Sequence, residues 1–158
     1  MIKITQEEVN EVVRLHGLWL EDSKTGKRAN LNGEDLSSLD LKGFDFRFAN
    51  LSRANFSKAD LRFADFSHAY LGYSIFSGAY LHNADFSRAD LSNADLRYVD
   101  LRGVDLSNAN LNNANLSRAN LSDADLSDAN LSDANLRDAI YNSKTVFTDF
   151  RTYMIYKD

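Results

Sequence analysis

The sequence predicts an all-β solenoid that is four-sided in cross-section. Every fifth residue from Leu31 to Leu136 is Leu or Phe, twenty-two times without an insertion or deletion. An amphipathic helix repeats about every 3.6 residues and a strand about every two, so neither element would direct this series of side chains to one side. A period of five keeps a large apolar side chain on a common axis only if the backbone bends once in each block. Four such bends close a square.

The remaining positions of the block support the same interpretation. The repeat is A-(D/N)-(L/F)-X-X, with Ala first in sixteen of the twenty-two blocks and Asp or Asn second in nineteen. Small Ala and large Leu or Phe side chains can interdigitate in a packed interior. Asp, Asn and Ser beside a bend can hydrogen-bond their own backbone in a tight turn. The block therefore combines core residues with turn residues.

This repeat resembles that of the pentapeptide-repeat family over about 110 of the 158 residues. The resemblance implies a right-handed quadrilateral parallel β-helix with four blocks per coil, the Ala and Leu or Phe positions inside and the other three outside. The solenoid over 29–143 then has about 5.5 coils. Coils stacked about 4.8 Å apart would make a rod about 26 Å long.

The phenylalanines fit a coil of twenty residues. Phe46, Phe66 and Phe86 are spaced by twenty, as are Phe56 and Phe76. We therefore expect two opposed stacks of rings inside the first half of the rod, with offset aromatic contacts that add to burial.

An N-terminal capping α-helix is predicted within residues 1–28. Thr5 and Glu8 form a capping-box pattern, and apolar residues follow it from Val9 to Leu20. We expect a helix over about 6–21 that lies on the first coil, because the open end of a solenoid exposes apolar core and unpaired backbone groups.

The C-terminal tail, residues 144–158, is predicted to close the other end. Its apolar residues are Val146, Phe147, Phe150, Tyr153, Ile155 and Tyr156. A segment with this many apolar side chains is expected to be buried, either on the solenoid or on another chain. Two alternatives stay open: a plug folded over the last coil, or a homodimer contact, since related proteins often join tail to tail.

Composition indicates one compact domain and a cytoplasmic location. The chain has no cysteine, so it can have neither a disulfide framework nor thiolate chemistry. It contains neither a signal peptide nor a long apolar run, so we expect no membrane insertion. A net charge of −5 offers no basic footprint for direct nucleic-acid binding.

Catalytic chemistry is not predicted. His16, His68 and His82 are far apart, and we expect them in solvated surface or capping roles rather than in a metal site. The serines have no histidine placed to activate them, and there is no glycine-rich phosphate loop. We therefore expect no enzyme activity, no cofactor and no metal.

At twenty residues per coil, the charges align in two outer columns. Asp45, Asp65, Asp85, Asp105 and Asp125 form an acidic column, and Lys42, Arg62, His82 and Arg102 form a basic one. Carboxylates about 4.8 Å apart repel by nearly 1 kcal/mol even in water. We expect the two columns to form a salt-bridged corner, with a recognition stripe as the alternative.

One end of the solenoid is acidic. Residues 121–140 contain five acids and one base, a net of −4, whereas residues 29–120 contain eleven acids and nine bases. This acidic end consists of Asp123, Asp125, Asp128, Asp133 and Asp138. The family resemblance implies one possible use, because some members imitate duplex DNA, bind type II topoisomerases and protect them from quinolones or toxins.

Apolar residues interrupt the outer surface in the middle of the rod. Tyr70, Ile75 and Tyr80 replace Asp or Asn in three successive blocks. Together with other exposed positions they form what we call the aromatic belt: Phe63, Tyr70, Tyr73, Ile75, Tyr80 and Tyr98. Loss of turn-bonding groups and exposure of apolar area indicate either a protein-binding surface or aromatic packing between coils.

Three functions follow as hypotheses. The leading one is a non-catalytic scaffold that mediates protein–protein interaction, with another protein as partner. The second is a DNA mimic that binds gyrase and gives quinolone or toxin protection. The third, a resistance factor against a toxin, is outside the reach of the sequence.

Overall fold

The computed structural model describes residues 3–148 and shows a four-sided parallel β-helix preceded by one helix. From Asn30–Asn50 to Asn120–Ile140, the bridges join residues twenty apart. The backbone amide of Leu31 donates to the carbonyl of Asn50 at 2.8 Å. The predicted coil of twenty residues is therefore confirmed.

Regular strands are short because each side of the square holds only a few residues. Among residues 3–148, strand β1 spans Asp125–Leu126 and pairs in parallel with β2 at Val146–Phe147, and the other sides make single-residue bridges. A bend follows each side before a longer strand can form.

The bends are tight turns closed by the backbone. The carbonyl of Phe46 accepts from the amide of Ala49 at 3.0 Å, and Phe48 between them has φ +61°. In most blocks the Asp or Asn side chain accepts from the amide two residues on, as Asp65 does from Ser67 at 2.8 Å. The predicted turn-bonding role of the second position is therefore confirmed.

The core is a column of Ala, Leu and Phe side chains. Ring centroids of Phe66 lie 5.2 Å from Phe46 and 4.8 Å from Phe86 in stacked geometry, and Phe56 and Phe76 stack at 5.0 Å. The two stacks meet edge to face, with Phe56 and Phe66 at 5.8 Å. Both predicted stacks are confirmed, and they interlock.

Helix α1 spans Gln6–Glu21 and begins with the capping box of Thr5 and Glu8. Val9 is fully buried in the solenoid core. The side chain of Gln6 donates to the carbonyl of Asp40 at 2.8 Å and accepts from the Asp40 amide at 2.9 Å. The helix thus lies against the first coil through both apolar and polar contacts.

His16 on α1 is buried, contrary to the expected solvated or capping role. The amide of Ala29 donates to His16 Nδ1 at 3.1 Å, so the proton is on Nε2, which donates to the Arg47 carbonyl at 2.9 Å. Burial lowers the pKa of His16, against the opposing effect of the bond to Arg47. A neutral imidazole therefore joins the helix to the first coil.

At the C-terminal end the repeat changes register. Asp125 pairs with Val146, twenty-one residues on, because Asn142 and Thr145 form a turn in which the Thr145 amide donates to the Asn142 carbonyl at 3.1 Å.

The tail residues Phe150, Tyr153, Ile155 and Tyr156 lie outside the described residues, so the plug and dimer interpretations remain predictions. Within 3–148, no helix is long and apolar enough to cross a membrane.

Candidate protein-binding surface

The aromatic belt is exposed to solvent. Its side chains are exposed by 40% for Ile75, 49% for Tyr70, 53% for Phe63, 58% for Tyr73, 62% for Tyr80 and 65% for Tyr98. Single exposed apolar residues are common, but six within two coils of a polar rod form an unusual concentration.

Three belt residues have strained backbone. Phe63, Tyr73 and Tyr98 have φ between +59° and +62°, a left-handed conformation that bulky side chains rarely adopt. Left-handed backbone costs roughly 1–2 kcal/mol for an L-residue other than Gly, and less for Asn and Asp. Eighteen non-glycine corners among residues 3–148 have this conformation, so it belongs to the repeat, and these three belt positions differ only in having bulky rings there.

The other three belt residues remove a turn bond. Tyr70, Ile75 and Tyr80 have no side-chain oxygen in the position from which Asp65 and Asp85 accept the amide two residues on. They nevertheless keep the backbone ladder, since Tyr80 bridges Asp60 below and Asp100 above. All six positions therefore sacrifice local turn stability.

The belt does not pack ring on ring. Within the described part of the chain, no belt ring stacks on another, and four rings lie against cations instead. The distances from cation to ring centroid are 5.2 Å for Arg28 over Tyr70, 5.6 Å for Lys42 over Phe63, 5.8 Å for Arg53 over Tyr73 and 5.5 Å for Arg118 over Tyr98. Because Arg53 and Tyr73, like Tyr98 and Arg118, are one coil apart, these belt rings pack between coils on cations rather than on one another. Protein binding by the belt stays a prediction.

The four-sided coil distributes the belt over three sides. The face that begins at Asn30, here called the first face, carries Tyr70 and Tyr73, with Gly72 buried between them. Ile75 begins the next side, and Tyr80 begins the third. A single flat partner could therefore contact only part of the belt.

The two charge columns do not form the expected salt-bridged corner. Arginines of the basic column pair with the Asp two residues before them, as Arg102 Nε does with Asp100 Oδ1 at 2.8 Å. Arg62 pairs in the same way with Asp60. The reason is local: both side chains project from the same side of the square, whereas a bend separates Arg62 from Asp65.

These bidentate pairs shift carboxyl pKa values. Hydrogen bonds from Arg62, Arg97 and Arg102 lower the pKa of the partner carboxyl two residues before each. Because the pairs are half exposed, each is worth little stability, about 0–1 kcal/mol.

The acidic column is largely unneutralised. Arg47 contacts Asp45 at 2.7 Å and Asp65 at 3.7 Å, but no cation among residues 3–148 makes an ion pair with Asp85, Asp105 or Asp125. Their carboxylates instead accept from the amides two residues on, as Asp105 does from Ser107 at 2.8 Å. One side of the rod therefore presents a ladder of carboxylates.

The acidic end is partly neutralised. Asp123 lies 3.8 Å from Lys144 Nζ, and Asp138 lies 3.5 Å from Arg118 Nε. Asp125 is in β1, and Asp128 accepts from the Thr148 hydroxyl at 3.1 Å. Asp133 is exposed on the first face. Arg118 and Asp138 are twenty residues apart, so the coil spacing was an available signal for this pair. Lys144 and Asp123 are twenty-one apart because the register shifts before β2, and the repeat gave no signal for that pair.

Sequence reasoning also missed the cations beside the belt. Arg28 lies between Trp19 and Tyr70, 5.8 Å and 5.2 Å from their ring centroids, and Arg53 lies over Tyr73. The spacing of twenty from Arg53 to Tyr73 was available as a signal. Among the described residues, no group of three or more His, Cys, Asp or Glu side chains could hold a metal ion.

Comparison with known proteins gives the following matches. The family model for pentapeptide repeats matches in eight copies over residues 29–67, 59–97 and 100–138. A pentapeptide-repeat protein of the Arabidopsis thaliana thylakoid lumen is 33% identical, with 75% of each chain covered and a TM-score of 0.51. No curated protein matches the chain.

Two further solved structures are more distant. A pentapeptide-repeat protein from the cyanobacterium Cyanothece 51142 is 28% identical over 88% of this chain and 98% of its own, with a TM-score of 0.34. QnrB1, a plasmid-mediated fluoroquinolone resistance protein, is 18% identical over 82% and 87%, with a TM-score of 0.41.

Proposed function

Because the chain belongs to the pentapeptide-repeat family, whose members are in general non-catalytic scaffolds, we propose that it is a non-catalytic scaffold that binds another protein through the aromatic belt. The observation that carries the proposal is the exposure of all six belt side chains, by 40% to 65%, at positions that weaken the local turns. Aromatic side chains of this kind supply much of the binding energy in protein interfaces.

The belt offers what an interface needs. Tyrosine combines a large apolar ring with a polar hydroxyl and has few rotatable bonds to immobilise. The rod holds its backbone rigidly through the ladder, so binding would order little of the chain. Cations beside the rings add polar contacts at the rim.

A triple substitution tests the belt. Tyr70→Asn and Tyr80→Asp restore residues typical of their positions, and Ser38 has the same left-handed block position as Tyr98. With Tyr98→Ser as the third change, the coil should therefore fold with a wild-type circular-dichroism spectrum. We expect the tagged triple variant to lose the protein that wild-type chain captures from its native host. The matched control carries Asp123→Asn, Asp128→Asn and Asp133→Asn at the acidic end and should retain capture. Unchanged capture by the belt variant would refute the proposal.

A second candidate is a DNA mimic that binds a type II topoisomerase. The carboxylate ladder of Asp85, Asp105 and Asp125 favours it, because these acids have no ion-pair partner among residues 3–148. Duplex DNA carries about one negative charge per 1.7 Å, so a mimic needs charge along its length. A gyrase supercoiling assay with and without fluoroquinolone separates the two functions: protection or inhibition supports mimicry, and no effect supports the scaffold.

We further propose that the C-terminal tail joins two copies of the chain. Ile140 and Val146 are 57% and 46% exposed near that end. Light scattering after size-exclusion chromatography would show a dimer for residues 1–158 and a monomer for a chain ending at residue 148. A monomer in both samples would contradict the proposal.

A further inference from the structure

The first face of the N-terminal coils contains no acid. Its three sides there are residues 29–33, 49–53 and 69–73, which read ANLNG, ANLSR and AYLGY. Further along the rod the same face carries Asp90. Cations on this part of the face therefore have no neighbouring carboxylate in their own column.

The arginines of the rod differ in their partners. Arg118 and Arg137 lie 3.5 and 3.8 Å from Asp138, and Arg88 makes no ion pair among residues 3–148. Arg47, Arg62, Arg97 and Arg102 each form an ion pair with the Asp two residues before them. Arg28 and Arg53 pair with no carboxylate among the described residues and instead lie over Tyr70 and Tyr73. A guanidinium held against a ring keeps its N–H edge available for another acceptor.

Arg28 is positioned by several contacts. Its Nε donates to the Phe48 carbonyl at 2.6 Å, and its guanidinium lies between the rings of Trp19 and Tyr70. Such preorganisation reduces the side-chain entropy lost on binding. The remaining N–H groups of Arg28 can bind a carboxylate in bidentate geometry.

Two depressions in the surface meet at Arg28. One, of about 250 Å³, is lined by Val12, Leu15, Lys27, Arg28 and Asn30. The other, of about 340 Å³, is lined by Arg28, Asn50, Ser52 and Tyr70. Together they combine apolar wall, basic groups and hydrogen-bonding amide and hydroxyl groups in one shallow groove.

We propose that this groove, which Lys27, Arg28 and Tyr70 line, binds a short acidic segment of a partner protein together with Arg53 and Tyr73, which lie beside it on the first face. This inference rests on the proposed scaffold function and specifies the chemistry of the partner. Charge complementarity carries it: the unpaired cations Arg28 and Arg53 lie beside exposed rings, and the part of the first face next to them contains no acid. Carboxylates of the segment would pair with Arg28 and Arg53, and its apolar side chains would contact Val12, Leu15 and the tyrosine rings.

A protein segment fits the charges better than a nucleic acid. Three cations cannot neutralise a long polyanion, whose affinity depends on many phosphate contacts. The acidic column from Asp45 to Asp125 lies on the adjoining side of the square and would repel a duplex or an anionic membrane. A segment with two or three acids avoids that repulsion.

The test uses the full chain and a fluorescein-labelled peptide in which three glutamates alternate with leucines. We expect fluorescence anisotropy to show saturable, salt-sensitive binding, and Arg53→Glu to weaken it by about tenfold through charge reversal. The matched control is Lys58→Glu, one block later in the same coil, because Lys58 is exposed, left-handed at φ +61° like Arg53 at +60°, and on another corner. Lys58→Glu should change the affinity by less than about twofold.

Several outcomes would overturn the inference: no peptide binding, equal weakening by both variants, equal binding of the peptide with glutamine in place of glutamate, or tighter binding of a single-stranded oligonucleotide or phosphatidylserine vesicles. If the triple belt variant loses its host partner while Arg53→Glu retains it, the scaffold function stands and the acidic-segment inference fails.

Discussion

The two halves of the rod build the same coil from different residues. Residues 29–88 have five phenylalanines in the core, and the second half has leucine at every corresponding position from Leu91 to Leu136. At the left-handed corners the second half uses mainly Asn and Asp, such as Asn93, Asn113 and Asp133. In the first half, seven of the twelve left-handed corners have Phe, Tyr, Arg, Lys or His, and three have Gly.

The difference shows where stability comes from in each half. Asn and Asp tolerate left-handed backbone, so the second half has little strain at its corners. Its core also has leucines where the first half has phenylalanines. The first half has interlocked Phe stacks and can tolerate strained corners that carry aromatic and basic groups. The surface proposed for binding lies mostly on the first half, whose core contains the phenylalanines.

Truncation of a central ring should have the largest effect. Phe66 contacts four other rings, at 4.8 to 6.5 Å. We expect Phe66→Ala to reduce the free energy of unfolding by about 3–5 kcal/mol, measured by urea titration with circular dichroism. Leu106→Ala, at the same column position in the second half, is the matched control and should cost less. Equal losses would remove the distinction between the two cores.

Acid should weaken the N-terminal end selectively. The folded chain holds His16 neutral with a lowered pKa, so below the ordinary value of 6.5 the unfolded chain binds a proton that the folded chain does not. Stability is therefore fully present above about pH 6.5 and falls as the pH decreases through that value. Arg28 and Arg47 also disfavour protonation, and Asp45 favours it.

Fluorescence of Trp19, the single tryptophan, reports this transition because its ring stacks on His16 at 5.6 Å. Urea midpoints measured from pH 8 to pH 5 should decrease for the wild-type chain and change less for His16→Gln. His82→Gln is the control, since His82 is exposed. If the urea midpoint of His16→Gln depended on pH as strongly as that of the wild-type chain, a group other than His16 would cause the acid sensitivity.

Relief of corner strain should raise stability modestly. We expect Tyr73→Asn to increase the free energy of unfolding by about 0.5 kcal/mol, because lower left-handed strain exceeds the lost contact with Arg53. The reverse change in the second half, Asn113→Tyr, should decrease it by about 1 kcal/mol. Urea titrations that show a gain in the free energy of unfolding for Tyr73→Asn and a loss for Asn113→Tyr would support the comparison. A gain or a loss for both variants would contradict it.

Removal of an exposed ion pair should have the smallest effect. Arg97 is bidentate with Asp95, and Ser stands at the equivalent position in the coils on either side. We expect Arg97→Ser to change the free energy of unfolding by at most about 1 kcal/mol, and less at high salt. A larger or salt-independent loss would show that these pairs determine coil stability.

The sequence predicted the architecture well because the repeat encodes it in local terms. Leu or Phe at every fifth position fixes the core, and spacing by twenty correctly paired Phe46 with Phe66 and Phe86. The contacts of the candidate site were harder to predict from the sequence. Side-chain direction after each bend decides that Arg62 pairs with Asp60 rather than with the acidic column, and periodicity alone carries no such information.

Contacts across irregular segments were the least predictable. His16 is buried because α1 places it over Ala29 and Arg47, which depends on how the helix docks. Lys144 reaches Asp123 because the register shifts by one residue before β2. Both contacts lie where the five-residue repeat ends.

Hydrogen exchange of the chain alone and in complex with its captured host partner tests the central claim most directly. If the belt is the binding surface, amides within residues 60–100 should gain protection and those within 121–140 should not. Protection confined to residues 121–140 would contradict this account and assign binding to the acidic end.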